Sequence, residues 1–414
     1  ANLRLERAQI LGFESHAAYT LDDCMAKTPK AVNDLLTSVW KPALAKAKGE
    51  AAEYQKMIAA EGNNFKLEPC DWRFYSEKMR KEKYSLNDEI IRPYFALTNV
   101  RDGIFMICDS LYGVTFRPNK SIPVYEKGVE AYEVLDRNEM IAILYLDYFP
   151  RESKRSGAWM TNFREQYVTK DGKNVIPVVS LVFNFTSPTA DKPSLLNFDE
   201  TETFFHEFGH GLHSIFSKCH FRSLSGTNVS RDFVELPSQI MENWASYPSV
   251  MKLYAKHYKT GEVIPDNLIA KIEAASTYGQ GFINAELLAA SFLDMDYHII
   301  KDSINIVLPD FENQAMAKIG LIPEIISRYK STYFQHIFSN SYSAGYYSYT
   351  WAAVLDSDAF EAFKEKGIFN KEVASAFRTN ILQKGNTQDP MELYLAFRGK
   401  KPSIEPLLKN RGLK

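Results

Sequence analysis

Asn197-Phe-Asp-Glu-Thr-Glu-Thr-Phe-Phe-His-Glu-Phe-Gly-His-Gly-Leu-His213 decides how this chain is read. Asn197 followed three residues later by Glu200 forms a capping box, a signal that a helix opens here. Phe204, Phe208, Leu212 and Ile215 then fall on one apolar face. His206 and His210 stand four residues apart, so their imidazoles project side by side, one turn from each other. That spacing lets both rings reach a single Zn²⁺ at about 2.0–2.1 Å. Glu207 points about 100° further round the helix. A mid-helix glycine costs about 1 kcal/mol relative to alanine, so Gly209 points to the close approach of another element.

His-Glu-x-x-His on a helix is the arrangement of a metal-dependent peptidase, in which the glutamate contacts water at the metal without ligating it. A catalytic zinc needs a third protein ligand and one open position. Two residues compete for that place. His213 lies on the same face but about 10 Å further along the axis than His206, which makes it a core or supporting residue. Glu235 lies in Arg231-Asp-Phe-Val-Glu-Leu-Pro-Ser-Gln-Ile-Met-Glu-Asn-Trp244, a second helical stretch reached through a Gly/Ser/Asn-rich connection over 223–230. An antiparallel partner helix there would deliver the Glu235 carboxylate to the two histidines. Pro237 either kinks this helix or lies in its first turn, and Gln239 is placed to orient a ligating histidine.

Outward from this site the chain is ordinary. Its 414 residues are 45% hydrophobic and 24% charged, with Lys+Arg 49 against Asp+Glu 51. That balance lacks the basic footprint of a nucleic-acid partner. The longest apolar runs, 140–149 and 175–185, fall short of the roughly 20 residues of a membrane helix, so a soluble protein is expected. Four scattered cysteines with no CxxC pair point to free thiols. Thr28-Pro29 opens a long helix that Gly62-Asn63-Asn64 ends. The continuous apolar runs read as strands, with Gly157-Ala158-Trp159-Met160 as an edge strand between them. Helical spacing returns over 269–300, 324–336 and 352–366. Ser339 to Tyr349, rich in Gly, Ser and Tyr, reads as a loop leading into a helix. The expected fold is mainly α: a large helical domain with a small β-sheet beside the zinc helix.

With these residues quoted, the chain resembles the thimet oligopeptidase family of zinc metallopeptidases, and most of all its bacterial peptidyl-dipeptidase branch. His206-Glu-Phe-Gly-His-Gly-Leu-His213 matches the family's HEFGHxxH, and 225–244 matches the segment carrying its glutamate ligand. Phe334-Gln-His-Ile-Phe338 with Tyr342-Ser-Ala-Gly-Tyr-Tyr-Ser-Tyr-Thr-Trp351 is similar to its His/Tyr substrate loop. Asp389 to Arg398 and Pro402 to Lys409 resemble the branch's ending. Family members are longer, with a further helical N-terminal region, so this chain resembles their C-terminal catalytic part.

The resemblance implies one Zn²⁺ held by His206, His210 and Glu235, with Glu207 as general base. It implies that His336, Tyr342, Tyr346 and Tyr349 contact substrate and stabilise the tetrahedral intermediate. Of the four tyrosines, Tyr349 is the first choice for the oxyanion. A channel-flanking helical region over 1–133 and a catalytic region over 134–414 follow. Within the latter lie a sheet at 140–185, zinc helices at 198–217 and 231–247, and the His/Tyr loop at 336–351. Gly157, Ala158 and Trp159 would hold the peptide backbone by strand addition. Arg231 or a tyrosine hydroxyl would read the substrate's C-terminal carboxylate. The expected activity is release of dipeptides from short peptides, with internal cutting or an inactive zinc-binding fragment as rivals. The expected partners are short peptides, with no nucleic acid or membrane, and the protein is read as a monomer. A cytoplasmic location is expected, and a periplasmic one stays open because a signal peptide would lie in the preceding region.

Overall fold

The long N-terminal helix begins where capping chemistry dictates. A computed structural model describes residues 1–414 except for the side chain of Asp88. It opens with α1 (Asn2–Ile10), α2 (His16–Leu21), α3 (Pro29–Ala60), α4 (Trp72–Tyr84), α5 (Asp88–Ile91) and α6 (Leu97–Tyr112). Thr28 caps α3 by accepting from the Ala31 N–H at 3.2 Å, and Pro29 sits in the first turn, where its missing N–H costs nothing. Val32, Leu36, Val39, Ala43 and Ala47 make the buried stripe of α3.

The strands are β1 (Val114–Pro118), β2 (Glu130–Asp136), β3 (Glu139–Asp147), β4 (Trp159–Arg164), β5 (Tyr167–Val168), β6 (Asn174–Val175) and β7 (Val178–Val182). Five of them form one sheet in the order β1-β2-β3-β7-β4, while β5 and β6 make a separate ribbon. β3 and β7 run parallel at its centre, and the other neighbours are antiparallel. Central strands are covered on both faces, which is why these two read as apolar runs without alternation. The sheet begins earlier than the reading of 140–185 placed it. β1 lies within the stretch read as helical, and β2 is Glu-Ala-Tyr-Glu-Val-Leu-Asp, a sequence with no strong strand signal. Pairing with β3 decides β2's conformation, as tertiary context commonly overrides strand propensity.

The remainder is helical: α7 (Phe198–Ile215), α8 (Leu236–Ser246), α9 (Pro248–Tyr254), α10 (Asp266–Ala275), α11 (Gln280–His298), α12 (Leu308–Ile319), α13 (Gln335–Phe338), α14 (Ser348–Lys366), α15 (Lys371–Phe377), α16 (Pro390–Arg398) and α17 (Glu405–Asn410). The mainly α class holds. Two helical readings do not. Residues 269–300 split into α10 and α11 at Gly279, whose φ of +69° is left-handed and open to glycine at no steric cost. Residues 324–336 form no continuous helix: 325–330 is irregular, with Ile325 and Ser327 buried and Ile326 and Arg328 exposed, a 3-10 turn follows at Ser331–Tyr333, and α13 opens only at Gln335. Their backbone bonds to a neighbour instead, the Arg328 N–H donating to the Glu286 carbonyl of α11 at 3.2 Å.

One hydrophobic cluster joins α6, the sheet, α7, α8 and α14, and a second joins α3 to α11. Phe204, Phe208, Leu212 and Ile215 are all buried in the first cluster, so the apolar face of α7 lies where its spacing predicts. Gly211 brings α7 down onto β7, since a Cβ there would stand 3.3 Å from Leu181 Cδ2. No helix among the described residues is long and apolar enough to cross a membrane, and all four cysteines are free.

Candidate metal centre and active site

The capping box at the start of α7 is complete. The Glu200 N–H donates to Asn197 Oδ1 at 2.7 Å, and the Asn197 N–H to Glu200 Oε2 at 2.8 Å. About two and a half turns after Glu200, α8 presses against Gly209, where a Cβ would fall 2.1 Å from the Pro237 carbonyl oxygen. This is the close approach that a helix-interior glycine implies. Pro237 lies in the first turn of α8, and Glu235 is the residue immediately before the helix, its side chain making no capping bond. The two helices run antiparallel, since Gly209 meets Pro237 while His206 meets Glu242.

That contact converges three ligand atoms. His206 Nε2 lies 3.4 Å and His210 Nε2 lies 3.1 Å from Glu235 Oε2. The candidate donor atoms of the three residues all lie within 4.8 Å of one another. The imidazoles stand at 85° with centroids 5.0 Å apart, so they approach one point from two directions. Burial works against charge on Glu235, yet His210 and His206 hold its carboxyl well below the usual carboxylate range. Ser238 Oγ also donates to Glu235 Oε2 at 3.0 Å.

Two nitrogens and one carboxylate oxygen are the donor set of a catalytic zinc. Two buried polar atoms beside it, His210 Nδ1 and Glu207 Oε2, have no protein partner. The residues therefore fit a zinc ion. Glu207 is 5% exposed, and burial raises its carboxyl above the ordinary range, partly offset by His206 and His210. A raised pKa suits a group that accepts a proton and returns it.

The residue orienting His206 is Glu242, whose Oε1 lies 2.6 Å from His206 Nδ1. Gln239, expected in that role, instead donates to the Tyr349 carbonyl at 3.2 Å. Gln239 is one turn from Glu235 on α8, whereas Glu242, two turns on, lies level with His206. The seven-residue spacing from Glu235 to Glu242 is the signal that reading passed over. His213 is fully buried and neither of its ring nitrogens has a partner. Burial, with a smaller effect of His210, drives its pKa down to about 3.

The His/Tyr loop folds over the same point. Tyr342 donates its O–H to Glu235 Oε1 at 2.9 Å, and its ring stacks on Tyr349 at 5.4 Å and 2°. His336 stands 6.0 Å from the Tyr342 ring and 6.5 Å from the Tyr349 ring, and its Nδ1 is buried without a partner. Tyr346 is 2% exposed and packs behind them between Phe334, His336 and Tyr349. Tyr347 turns away and donates to Asp232 Oδ2 at 2.7 Å. Arg231 lies over the Tyr342 ring at 4.5 Å and donates to Ser341 Oγ at 2.6 Å.

Sequence comparison bears directly on this constellation. The description "Peptidase family M3" matches residues 1–413. The chain belongs to peptidase family M3. It is 41% identical over 415 residues to the dipeptidyl carboxypeptidase of Salmonella typhimurium, covering 99% of this chain and 61% of that protein. It is 38% identical over 421 residues to oligopeptidase A of Escherichia coli, covering 100% of this chain and 61% of that protein. The chain thus spans about three fifths of the length of these M3 relatives. The fold is shared with an M32 carboxypeptidase from Deinococcus radiodurans R1, at a TM-score of 0.57 and 14% identity, over 99% of this chain and 71% of that one. Trypanosoma cruzi metallocarboxypeptidase 1 gives 0.56 and 11%, over 99% of this chain and 76% of that one.

In this M3 chain the edge strand packed against α7, beside β7, is β4. Trp159 opens it, opposite Val182 of β7. Gly157 and Ala158 precede the strand. Gly157 has a φ of +90°, and its carbonyl already accepts from Asn184 Nδ2 at 2.7 Å. Of the three residues read as a backbone clamp, Trp159 alone belongs to the paired strand.

Proposed function

We propose that this chain is the metal-binding part of a zinc peptidase that hydrolyses short peptides and releases dipeptides from the free C-terminus. The observation that carries this reading is the convergence of His206, His210 and Glu235 within 4.8 Å, with Glu207, whose buried Oε2 has no protein partner, next to His206 in the same helix. His206, His210 and Glu235 would hold the ion. A zinc ion, when bound, supplies Lewis acidity toward the scissile carbonyl and the attacking water. Glu207 accepts the proton of that water as it attacks and passes it to the leaving amine. Burial of Glu207 favours the protonated form that this second transfer requires. Glu242 keeps His206 in the tautomer that presents Nε2 to the ion.

Tyr349 and His336 would be the donors facing the reacting carbonyl, joined by Tyr342 once its O–H leaves Glu235 Oε1, and phenolic or imidazole N–H groups there stabilise charge that develops on oxygen. Burial raises the pKa of both tyrosines, so they stay protonated donors. Tyr346 supports them from behind. The outer edge of β4 from Trp159 onward is open to an extended peptide, which gains main-chain hydrogen bonds by adding as a strand.

Internal cutting is the second reading, because identity to oligopeptidase A is almost as high as to dipeptidyl carboxypeptidase. Mass spectrometry of products from a free-acid nonapeptide and from its C-terminal amide separates them. Stepwise dipeptide loss from the free acid alone is the expected result. Cleavage of both peptides at internal bonds selects the second reading. Glu207→Ala is expected to lower turnover by at least about 10²-fold at equal zinc content, and undiminished cleavage in that variant would falsify the assigned mechanism.

A further inference from the structure

The His/Tyr loop has an internal anchor that the chemistry above does not use. Ala344 is fully buried and adopts a φ of +52°, a left-handed conformation that side-chain-bearing residues seldom take. This bend turns three consecutive backbone N–H groups the same way, and such a concavity binds anions. The anion is supplied by the chain itself. Asp294 of α11, fully buried, accepts from the Ala344 N–H at 2.8 Å on Oδ1 and from the Gly345 and Tyr346 N–H groups at 2.9 Å on Oδ2.

The carboxylate is fixed in turn. His298, one turn along α11 and fully buried, has Nδ1 2.8 Å from Asp294 Oδ1 and Nε2 2.8 Å from Arg4 Nη1. Arginine only donates, so Nε2 accepts and the ring proton sits on Nδ1, donating to Asp294. A second contact pins the neighbouring residue: His16 Nε2 lies 2.9 Å from Ser343 Oγ. A fully buried carboxylate with this many donors marks a place where backbone geometry is tightly specified.

We propose that Asp294 is the positioning residue of the His/Tyr loop. Through the bend at Ala344 it sets where the Tyr342 and Tyr349 hydroxyls stand relative to Glu235, and His298 and Arg4 hold the carboxylate in register. The inference rests on the reading that this loop serves peptide hydrolysis, but the holding of the loop can be measured without activity.

The deciding variant is Asp294→Asn, which sets an amide NH₂ against N–H donors. Hydrogen exchange of the full chain is expected to speed at least tenfold in peptides covering 342–349, while peptides covering 198–215 keep wild-type rates. In turnover assays at equal zinc content, kcat is expected to fall about 10²-fold, the scale of a misplaced catalytic group, with KM within about threefold. Adding Ala344→Gly, which takes the left-handed bend without strain, is expected to recover roughly tenfold of that kcat. A merely structural role would reduce the folded fraction and leave kcat per folded molecule unchanged, with no recovery by glycine. Unchanged exchange over 342–349 overturns the proposal, as does unchanged kcat in a variant whose loop exchanges faster. A wild-type protein that cleaves nothing rejects the peptidase reading instead, and the exchange result then decides the anchor by itself.

Discussion

Glu242 shows how much of this site rests on single atoms. Its Oε1 sits 2.6 Å from His206 Nδ1, although 36 residues separate the two in sequence. A carboxylate in that place fixes the tautomer and raises the basicity of the ligand, and its loss commonly costs 10–100-fold in metal affinity, on the order of 1–3 kcal/mol. Glu242→Ala is therefore expected to weaken zinc binding about 10–100-fold in a chelator competition, with an unchanged circular dichroism spectrum. Zinc affinity equal to wild type would remove Glu242 from the centre. At this scale His206, Glu207 and His210 were legible in the sequence, because helical periodicity alone places them. Glu242 was not, because its role depends on the register between two helices.

That register belongs to the scale of elements. α7 and α8 meet where Gly209 admits the Pro237 carbonyl, and the same contact carries Glu235 to the histidines. Gly209→Ala raises helix propensity by about 1 kcal/mol. The added Cβ nevertheless falls 2.1 Å from Pro237 O and 2.6 Å from Ser238 Cα, both backbone atoms that cannot rotate away. Overpacking of this kind costs about 1–3 kcal/mol, so the expected net effect is lower stability together with weaker zinc binding. Both follow from one displacement, and calorimetry with a zinc titration measures both. A variant as stable as wild type with full zinc affinity would show that α8 can retreat without moving Glu235. The failed helix over 324–336 is the counterpart of this case. Apolar spacing there resembled a helix, but the Arg328 N–H donates to the Glu286 carbonyl of α11 and the stretch stays irregular up to Lys330.

For the whole molecule, buried titratable groups set the response to acid, and two histidines carry the part that destabilises it. Burial, then His298, Arg4 and Arg7, lower the pKa of His16 to about 3, and burial with His210 lowers that of His213 to about 3. Each is protonated in the unfolded chain below its ordinary value of about 6.5 but stays neutral in the folded one. At these two sites the unfolded state therefore binds more protons between about pH 6.5 and about pH 3, so their contribution to stability rises with pH across that window, opposed in its upper part by Glu202 and Asp356, whose carboxyls burial raises to about 8. The histidines' contribution is fully present above about pH 6.5 and is lost as the pH falls toward 3, by roughly 1 kcal/mol per pH unit for each. Urea unfolding of metal-free protein at a series of pH values is expected to show this decline most steeply below about pH 4.5, where the two carboxyls no longer oppose it. His16→Gln is expected to flatten it, and an equally steep decline in that variant would remove His16 from the account.

The sequence by itself determined the features that are periodic or local. The capping box at Asn197, the apolar face of α7, the His-Glu-x-x-His spacing, the entry to α3 at Thr28 and the central strands β3 and β7 all depend on residues within a few positions of one another. Gly209 even announced a contact without naming the partner. Only the tertiary structure decided which element meets which. It placed Glu242 rather than Gln239 on His206, brought β1 and β2 into the sheet by pairing, split 269–300 at Gly279, and put Asp294 beneath the tyrosine loop. The physical reason is common to all four. Their energies come from backbone groups and buried side chains distant in sequence, and these find each other only once the core has packed.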